Sequence, residues 1–241
     1  MIHLLSASPV FPDPALAGPD GLLAVGGDLS VERLVAAYSR GIFPWFNDDN
    51  PILWWSPEPR PILRPQWLRL GDRFRRYLRS HPFELSLDQD FQATISACAV
   101  MERPGQLGTW ITDDMIRAYF RLHQAGFAHS VECRLKGKLV GGMYGVAVGR
   151  AFFGESMFHE VPQASKVAFA HLVRLLGDLE FHFMDCQQAT PHVVRFGARE
   201  VSRKTFTRMV EAAAAQPGAP GIWRTPDWWR DTAGRAGHWR V

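Results

Sequence analysis

Three apolar, strand-like runs follow one another at Ser130–Leu135, Leu139–Val148 and Ala151–Phe158, and only Lys136-Gly137-Lys138 and Gly149-Arg150 separate them. Links this short suit hairpins, so the runs are expected to pair as an antiparallel meander. After it the period changes: Val167, Phe169, Ala170, Leu172, Val173 and Leu176 recur at helical spacing between about Gln163 and Leu176, which predicts a helix with a broad apolar face. Glu180–Asp185 reads as a further strand. Thr190-Pro191 opens a short helix to Phe196 closed by Gly197, and Ser202 caps a last one reaching Ala215. Ahead of the meander, Ser30 caps a helix over Val31–Ser39 ended by Gly41, Asp88 caps one over Gln89–Val100, and Thr112-Asp113-Asp114 opens one that stops at Gly126. This order suits an α+β class, with helices packed on a mixed sheet.

Two clusters of proline and aromatics, Phe43-Pro44-Trp45-Phe46 and Trp54-Trp55-Ser56-Pro57-Glu58-Pro59-Arg60-Pro61, mark the end of a small N-terminal domain. The expected division is 1–62 and 63–241, with a tail from about 216 that has Pro217-Gly218 and Pro220-Gly221 turns and is held by Trp223, Trp228 and Trp229. A chain of 241 residues buries roughly three quarters of its unfolded surface and needs no disulfide staples. The three cysteines, Cys98, Cys133 and Cys186, are odd in number and form no Cys-x-x-Cys, which points to a reducing compartment and away from a zinc ribbon. Met1–Phe11 has no basic start and runs into prolines, unlike a signal peptide, and no apolar run reaches the roughly 20 residues that span a bilayer. The expected location is the cytoplasm, and the expected state a monomer.

The net charge of +3 hides a sorted distribution. Between Arg60 and Arg79 lie seven arginines and a single acid, Asp72, so this stretch alone is +6. Trp67, Phe74 and Tyr77 could anchor it while the guanidinium groups, including those of Arg73, Arg75, Arg76 and Arg79, face outward to bind phosphates. The alternative is a solvated helix in a chain that prefers arginine, since only four lysines occur.

Candidate chemistry is confined to two places. Glu155 stands alone in the apolar run Phe152–Phe158, where an unpaired charge would cost several kcal/mol, so it needs a partner or a cleft unless it is an edge-strand acid facing water. Strand alternation puts it on one face with Phe153 and Met157. Asp185-Cys186-Gln187 ends the next strand, with Asp185 and Gln187 on one face and Cys186 turned to the core. An acid and an amide so placed can orient an amine, or merely cap the following turn. No zincin spacing, i, i+4 histidine pair, Walker loop or Gly-x-Gly-x-x-Gly loop occurs, so neither metal nor nucleotide cofactor is expected.

Several strings, read in order, resemble the bacterial leucyl/phenylalanyl-tRNA–protein transferases. They are Gly21–Leu29, Gly41–Phe46, Trp54–Pro57, Gly108–Thr112, Gly141–Gly145, Phe153–Phe158, Ala164–Lys166 and Asp185–Gln187. The resemblance implies a small N-terminal domain and an acetyltransferase-like (GNAT-like) mixed-sheet domain. It implies an aminoacyltransferase of leucyltransferase type that moves Leu or Phe, and Met less well, from aminoacyl-tRNA to the N-terminal Arg or Lys of acceptor proteins, marking them for degradation. By the family's pattern Glu155 contacts the aminoacyl α-amino group, and Asp185 and Gln187 hold and activate the incoming amine. Met143, Phe152, Phe169, Leu172, Leu176 and Met184 line the side-chain pocket, and Trp45 and Trp110 hold the aminoacyl-adenosine end. Three other functions share parts of this pattern. A CoA-dependent acetyltransferase would want a glycine-bearing loop where the chain reads His159-Glu160-Val161-Pro162-Gln163-Ala164-Ser165. A bare RNA-binding module leaves Glu155 and Gln187 without a purpose. A leucyl-transferase for N-terminal Asp or Glu would be repelled by Asp185.

Overall fold

The computed structural model describes residues 2–101, 109–218, 221, 223–230 and 232–239, without the side chains of 232–234. Gly108 and Pro220, used in the readings above, lie outside these residues. In chain order the elements are β1 (His3–Leu5), β2 (Leu22–Gly26), α1 (Val31–Tyr38), β3 (Phe43–Pro44), β4 (Leu53–Trp55), β5 (Arg60–Leu63), α2 (Asp72–Ser80) and β6 (Glu84–Leu87). There follow α3 (Phe91–Ala99), α4 (Asp113–Gln124), β7 (Ala128–Leu135), β8 (Lys138–Val148), β9 (Ala151–His159) and α5 (Ala164–Asp178). The chain closes with β10 (Phe183–Asp185), α6 (Pro191–Arg195), β11 (Arg199–Val201), α7 (Arg203–Ala214) and α8 (Thr232–His238).

The meander is present as β7, β8 and β9, paired antiparallel in sequence. It forms the middle of a seven-stranded mixed sheet in the order β11-β5-β10-β9-β8-β7-β6, while β1-β2-β4-β3 make a smaller sheet. β10 runs parallel to β9, and α5 is the crossover that joins them. β5 opens at Arg60 and pairs with β10 and β11, so the large sheet begins there.

One core cluster joins Leu34, Tyr38 and Trp54 of the N-terminal region to Tyr119, Tyr144, Phe153 and Phe158, so the small sheet shares its interior with one face of the large one. On the other face Met143, Phe152, Phe169, Leu172 and Leu176 pack together with Trp223, Trp229 and Trp239 of the C-terminal segment. Trp229 has no exposed surface and Trp223 stacks on His129 at 3.9 Å, so tryptophans do hold this segment.

Local signals place most helix starts. Ser30, Thr112, Thr190 and Ser202 each accept a hydrogen bond from the amide three residues on. Asp88 does not cap α3. Asp90 does, accepting from Ala93 N, while Asp88 is buried and accepts from Ser130 N and Trp223 N. The strand expected from Glu180 starts only at Phe183, because α5 ends with Glu180 left-handed and Phe181 N bonded to Leu176 O, which uses up those residues. α7 is not the last helix, since α8 follows and packs on α2.

Candidate active site

The parallel ladder between β9 and β10 ends at the pair Phe153–Asp185. Beyond it β9 continues, whereas the chain after β10 turns away with Gln187 in the left-handed region at φ 56°. A cavity of about 470 Å³ opens in the gap, lined on these two sides by Gly154–Met157 and by Cys186, Gln187 and Gln188. Phe43, Pro44 and Trp45 from the small sheet, Trp110, and Thr190, His192 and Val193 around α6 complete the rim and walls. Met143, Phe169 and Met184 make it apolar at depth.

A β-bulge aims Glu155. Tyr144 pairs with Ser156 and Gly145 with Gly154, so Glu155 is the extra residue on β9. The bulge reverses the alternation: Phe153 and Phe158 face one core, Phe152 and Met157 the other. Phe153, Glu155 and Met157 therefore do not share a face, contrary to simple strand parity. A Cβ on Gly154 beside the bulge would come within 2.5 Å of Met184 Cε, so the Met184 side chain would have to shift.

The Glu155 carboxylate is held from three elements. Oε1 accepts from Tyr38 OH of α1 at 2.8 Å and from Gln187 Nε2 at 2.7 Å, and Oε2 accepts from Tyr119 OH of α4 at 3.3 Å. The two phenol oxygens are also within hydrogen-bond reach of each other, and with one proton apiece they satisfy two of these three contacts at a time. Burial, and then the Glu155 charge, push both phenols well above their ordinary value, so they remain protonated donors. Burial pushes Glu155 itself up to about 7, against the pull of its three donors and with a further push from Asp185.

Asp185 has a different setting. It is fully buried in a two-point ion pair, Oδ1 with Arg60 Nε at 2.9 Å and Oδ2 with the Arg60 terminal nitrogen at 2.6 Å, and Oδ1 also accepts from Gln187 N at 2.9 Å. It does not line the cavity. Asp185 thus cannot hold an incoming amine directly, and its charge is already answered by Arg60. For the same reason Arg60 leaves the basic stretch that the sequence grouped with Arg79. Because the chain turns at Gln187 instead of continuing as strand, Cys186 lines the cavity while it also packs against the core cluster; burial pushes its thiol well up, which makes it wall and not nucleophile.

Of the residues expected in the pocket, Trp45, Trp110, Met143, Phe169 and Met184 line the cavity, together with Glu155 and Gln187. Phe152, Leu172 and Leu176 do not: they lie in the core cluster that also contains Met143, Phe169 and Met184. Arg73 and Arg76 are exposed on α2, Arg75 and Arg79 half-buried. Sequence reasoning missed Tyr38, Tyr119, Phe43 and His192. His192 is pushed down to about 4 by burial and by the charges of Lys166, Arg195 and His159, so it presents a neutral ring.

The family described as leucyl/phenylalanyl-tRNA protein transferase matches residues 62–211, and its N-terminal domain matches residues 27–58. A leucyl/phenylalanyl-tRNA–protein transferase of Solidesulfovibrio magneticus is 58% identical over 225 residues, covering 93% of this chain and 91% of that protein. The chain belongs to this family. Similar members come from Oleidesulfovibrio alaskensis, 53% identical over 95% of this chain and 94% of its own length, and from Anaeromyxobacter dehalogenans strain 2CP-C, 53% identical over 92% and 96%. Among solved structures, a GCN5-related N-acetyltransferase from Kribbella flavida shares 8% identity at a TM-score of 0.38, covering 67% of this chain and 57% of that one. A protein of unknown function from Staphylococcus epidermidis reaches 0.41, with 8% identity, 60% and 57% coverage. Scores of this size fix neither fold nor function. Among the described residues no helix is long and apolar enough to cross a membrane.

Proposed function

We propose that this chain transfers Leu or Phe, and Met less readily, from aminoacyl-tRNA to the N-terminal Arg or Lys of acceptor proteins. Family membership supports the reaction class, and one observation carries the assignment to this site: an apolar cavity ending on a carboxylate and an amide that hydrogen-bond each other at 2.7 Å. Met143, Phe169 and Met184 take the apolar side chain. An apolar pocket separates residues differing by one methylene by only about 1–3 kcal/mol, hence acceptance of several unbranched bulky side chains. Trp45 and Trp110 at the rim offer surfaces for the terminal adenosine, and Arg73, Arg75, Arg76 and Arg79 on α2 meet tRNA phosphates.

Glu155 binds the donor's α-ammonium. Gln187 Nε2 is committed to Glu155, which leaves the amide oxygen as the end that accepts from the acceptor's α-amine. The amine nitrogen attacks the ester carbonyl, the new C–N bond forms, the C–O bond to ribose breaks, and the proton lost by nitrogen ends on the departing ribose hydroxyl. An α-amine of pKa about 7.7–8.0 is already partly neutral at neutral pH, so no strong base is required. Bringing the two substrates together supplies up to roughly 7–11 kcal/mol of the barrier reduction. Action in the cytoplasm fits three cysteines that form no disulfide.

The test mixes purified protein, leucyl-tRNA and peptides beginning with Arg, Lys, Asp or Ala and follows each peptide's mass. Leucine is expected on the Arg and Lys peptides alone. No addition to either sinks the assignment.

A further inference from the structure

Arg60 is the most completely enclosed cation beside the cavity, and nothing in the transfer chemistry above uses it. It has no exposed surface. Its Nε and one terminal nitrogen grip Asp185, its other terminal nitrogen donates to Gly41 O at 3.2 Å, and its plane lies between the rings of Phe43 at 4.8 Å and Phe206 at 4.4 Å. These contacts come from four places in the chain: the end of β10, the turn before β3, β3 itself and α7. Gly41 is itself fitted to the arrangement, with φ 72° and no room for a Cβ, which would meet Phe206 at 2.5 Å.

The Asp185 oxygen that accepts from Arg60 Nε also accepts from Gln187 N. Gln187 is a non-glycine residue at positive φ, a conformation that costs energy and persists only where the surroundings impose it. From it the side chain reaches Glu155, while Phe43 on the opposite side of the guanidinium lines the cavity. The guanidinium thus sits at the joint between the small sheet's contribution to the cavity and the turn that carries the amide.

We propose that Arg60 is a positioning residue of the transfer reaction: through Asp185 it holds Gln187 against Glu155, and through Gly41 and Phe43 it fixes that pair relative to the opposite wall. The proposal rests on the function assigned above. It makes Asp185 part of the same device. A lysine cannot replace the planar fork, which makes three directed bonds and two ring contacts at once.

Two variants test it, Arg60→Lys and the neutral pair Arg60→Met with Asp185→Asn, the second because an unpaired buried Asp185 would unfold the protein whereas a neutral pair is tolerated. In folded protein with a melting temperature near that of the parent, kcat should fall about 100-fold in both, the scale of a misplaced reacting group, while KM for leucyl-tRNA stays within about threefold. The pH profile gives a readout that a merely structural role would not move. Glu155 is faced by Tyr38 from α1, Tyr119 from α4, and Gln187 and Asp185 from the end of β10. Withdrawal of Gln187 removes a donor that pulls Glu155 down, so the acidic limb of kcat should move upward relative to the parent in Arg60→Lys, whereas in the neutral pair the loss of the Asp185 charge, which pushes Glu155 up, offsets that movement. Crystal structures of both should show Gln187 withdrawn from Glu155. Folded variants with parental kcat, or with the Gln187–Glu155 contact intact, overturn the proposal. An inactive parent with a displaced Gln187 in the variants overturns the assigned function and leaves the positioning role supported.

Discussion

Two buried glutamates in this sheet, Glu155 on β9 and Glu132 on β7, are almost the same object in electrostatic terms. Each is held by hydroxyls, Glu155 by Tyr38 and Tyr119, Glu132 by Ser130 and by Ser86 at 2.6 Å, and burial pushes each up to about 7. They differ in what lies beside them. Glu155 sits on a bulge, opens on a cavity and touches an amide on the far side of it. Glu132 stays in register opposite Ser86, has no exposed surface, and is flanked by Leu87 and Asp88, which bond the C-terminal segment through Thr225 and Trp223. A displaced carboxylate is therefore not by itself a mark of function: local pairing and access decide.

That contrast can be broken most sharply by turnover. Glu155→Gln should lower transfer roughly 100- to 1,000-fold, the cost of removing a charge aimed at the reacting centre, whereas Glu132→Gln leaves kcat/KM within about threefold; equal losses would erase the distinction. Stability should show the reverse emphasis. An acid whose pKa is raised by folding binds its proton more tightly in the native state, so its stabilisation is complete below about 4.5 and is lost as pH rises through about 7. Glu132→Gln should flatten the decline of stability across that window by about 1.4 kcal/mol per pH unit, read by denaturant unfolding at pH 5, 6 and 7. Next comes Gln187→Ala, expected to reduce turnover at least about tenfold with little change in tRNA affinity; unaltered turnover would remove its part in catalysis. Activity of the parent should also decline as pH falls below about 7, because Glu155 must be ionised to bind an ammonium group, and Glu132→Gln should keep that limb where it is. The smallest effect belongs to α2: replacing Arg73, Arg75 and Arg76 with Ala should flatten the log–log salt dependence of tRNA binding by roughly 2 to 3, and leave kcat at saturation unchanged.

What was legible in the sequence was what neighbours in the chain decide. The meander followed from two short links, and four helix caps from a single side chain each. The family's strings located Glu155, Gln187 and most of the cavity wall. What was not legible depends on distant partners. Tyr38 reads as one apolar position on an amphipathic helix, and only a contact 117 residues away makes it a donor to Glu155. Arg60 looked like the first of a run of surface arginines until Asp185, 125 residues on, came to meet it. Leu172 and Leu176 could not be separated from Phe169 because α5 is buried on nearly every side, so its pattern does not say which residues reach the cavity. The bulge left no trace in a run of apolar residues that alternation alone would read as straight.

The bulge also has a genetic side. Removing one codon at Glu155 would let Gly154 and Ser156 pair in unbroken register with β8, giving a more regular hairpin and one that carries no carboxylate. The extra residue is what brings the carboxylate to the cavity wall.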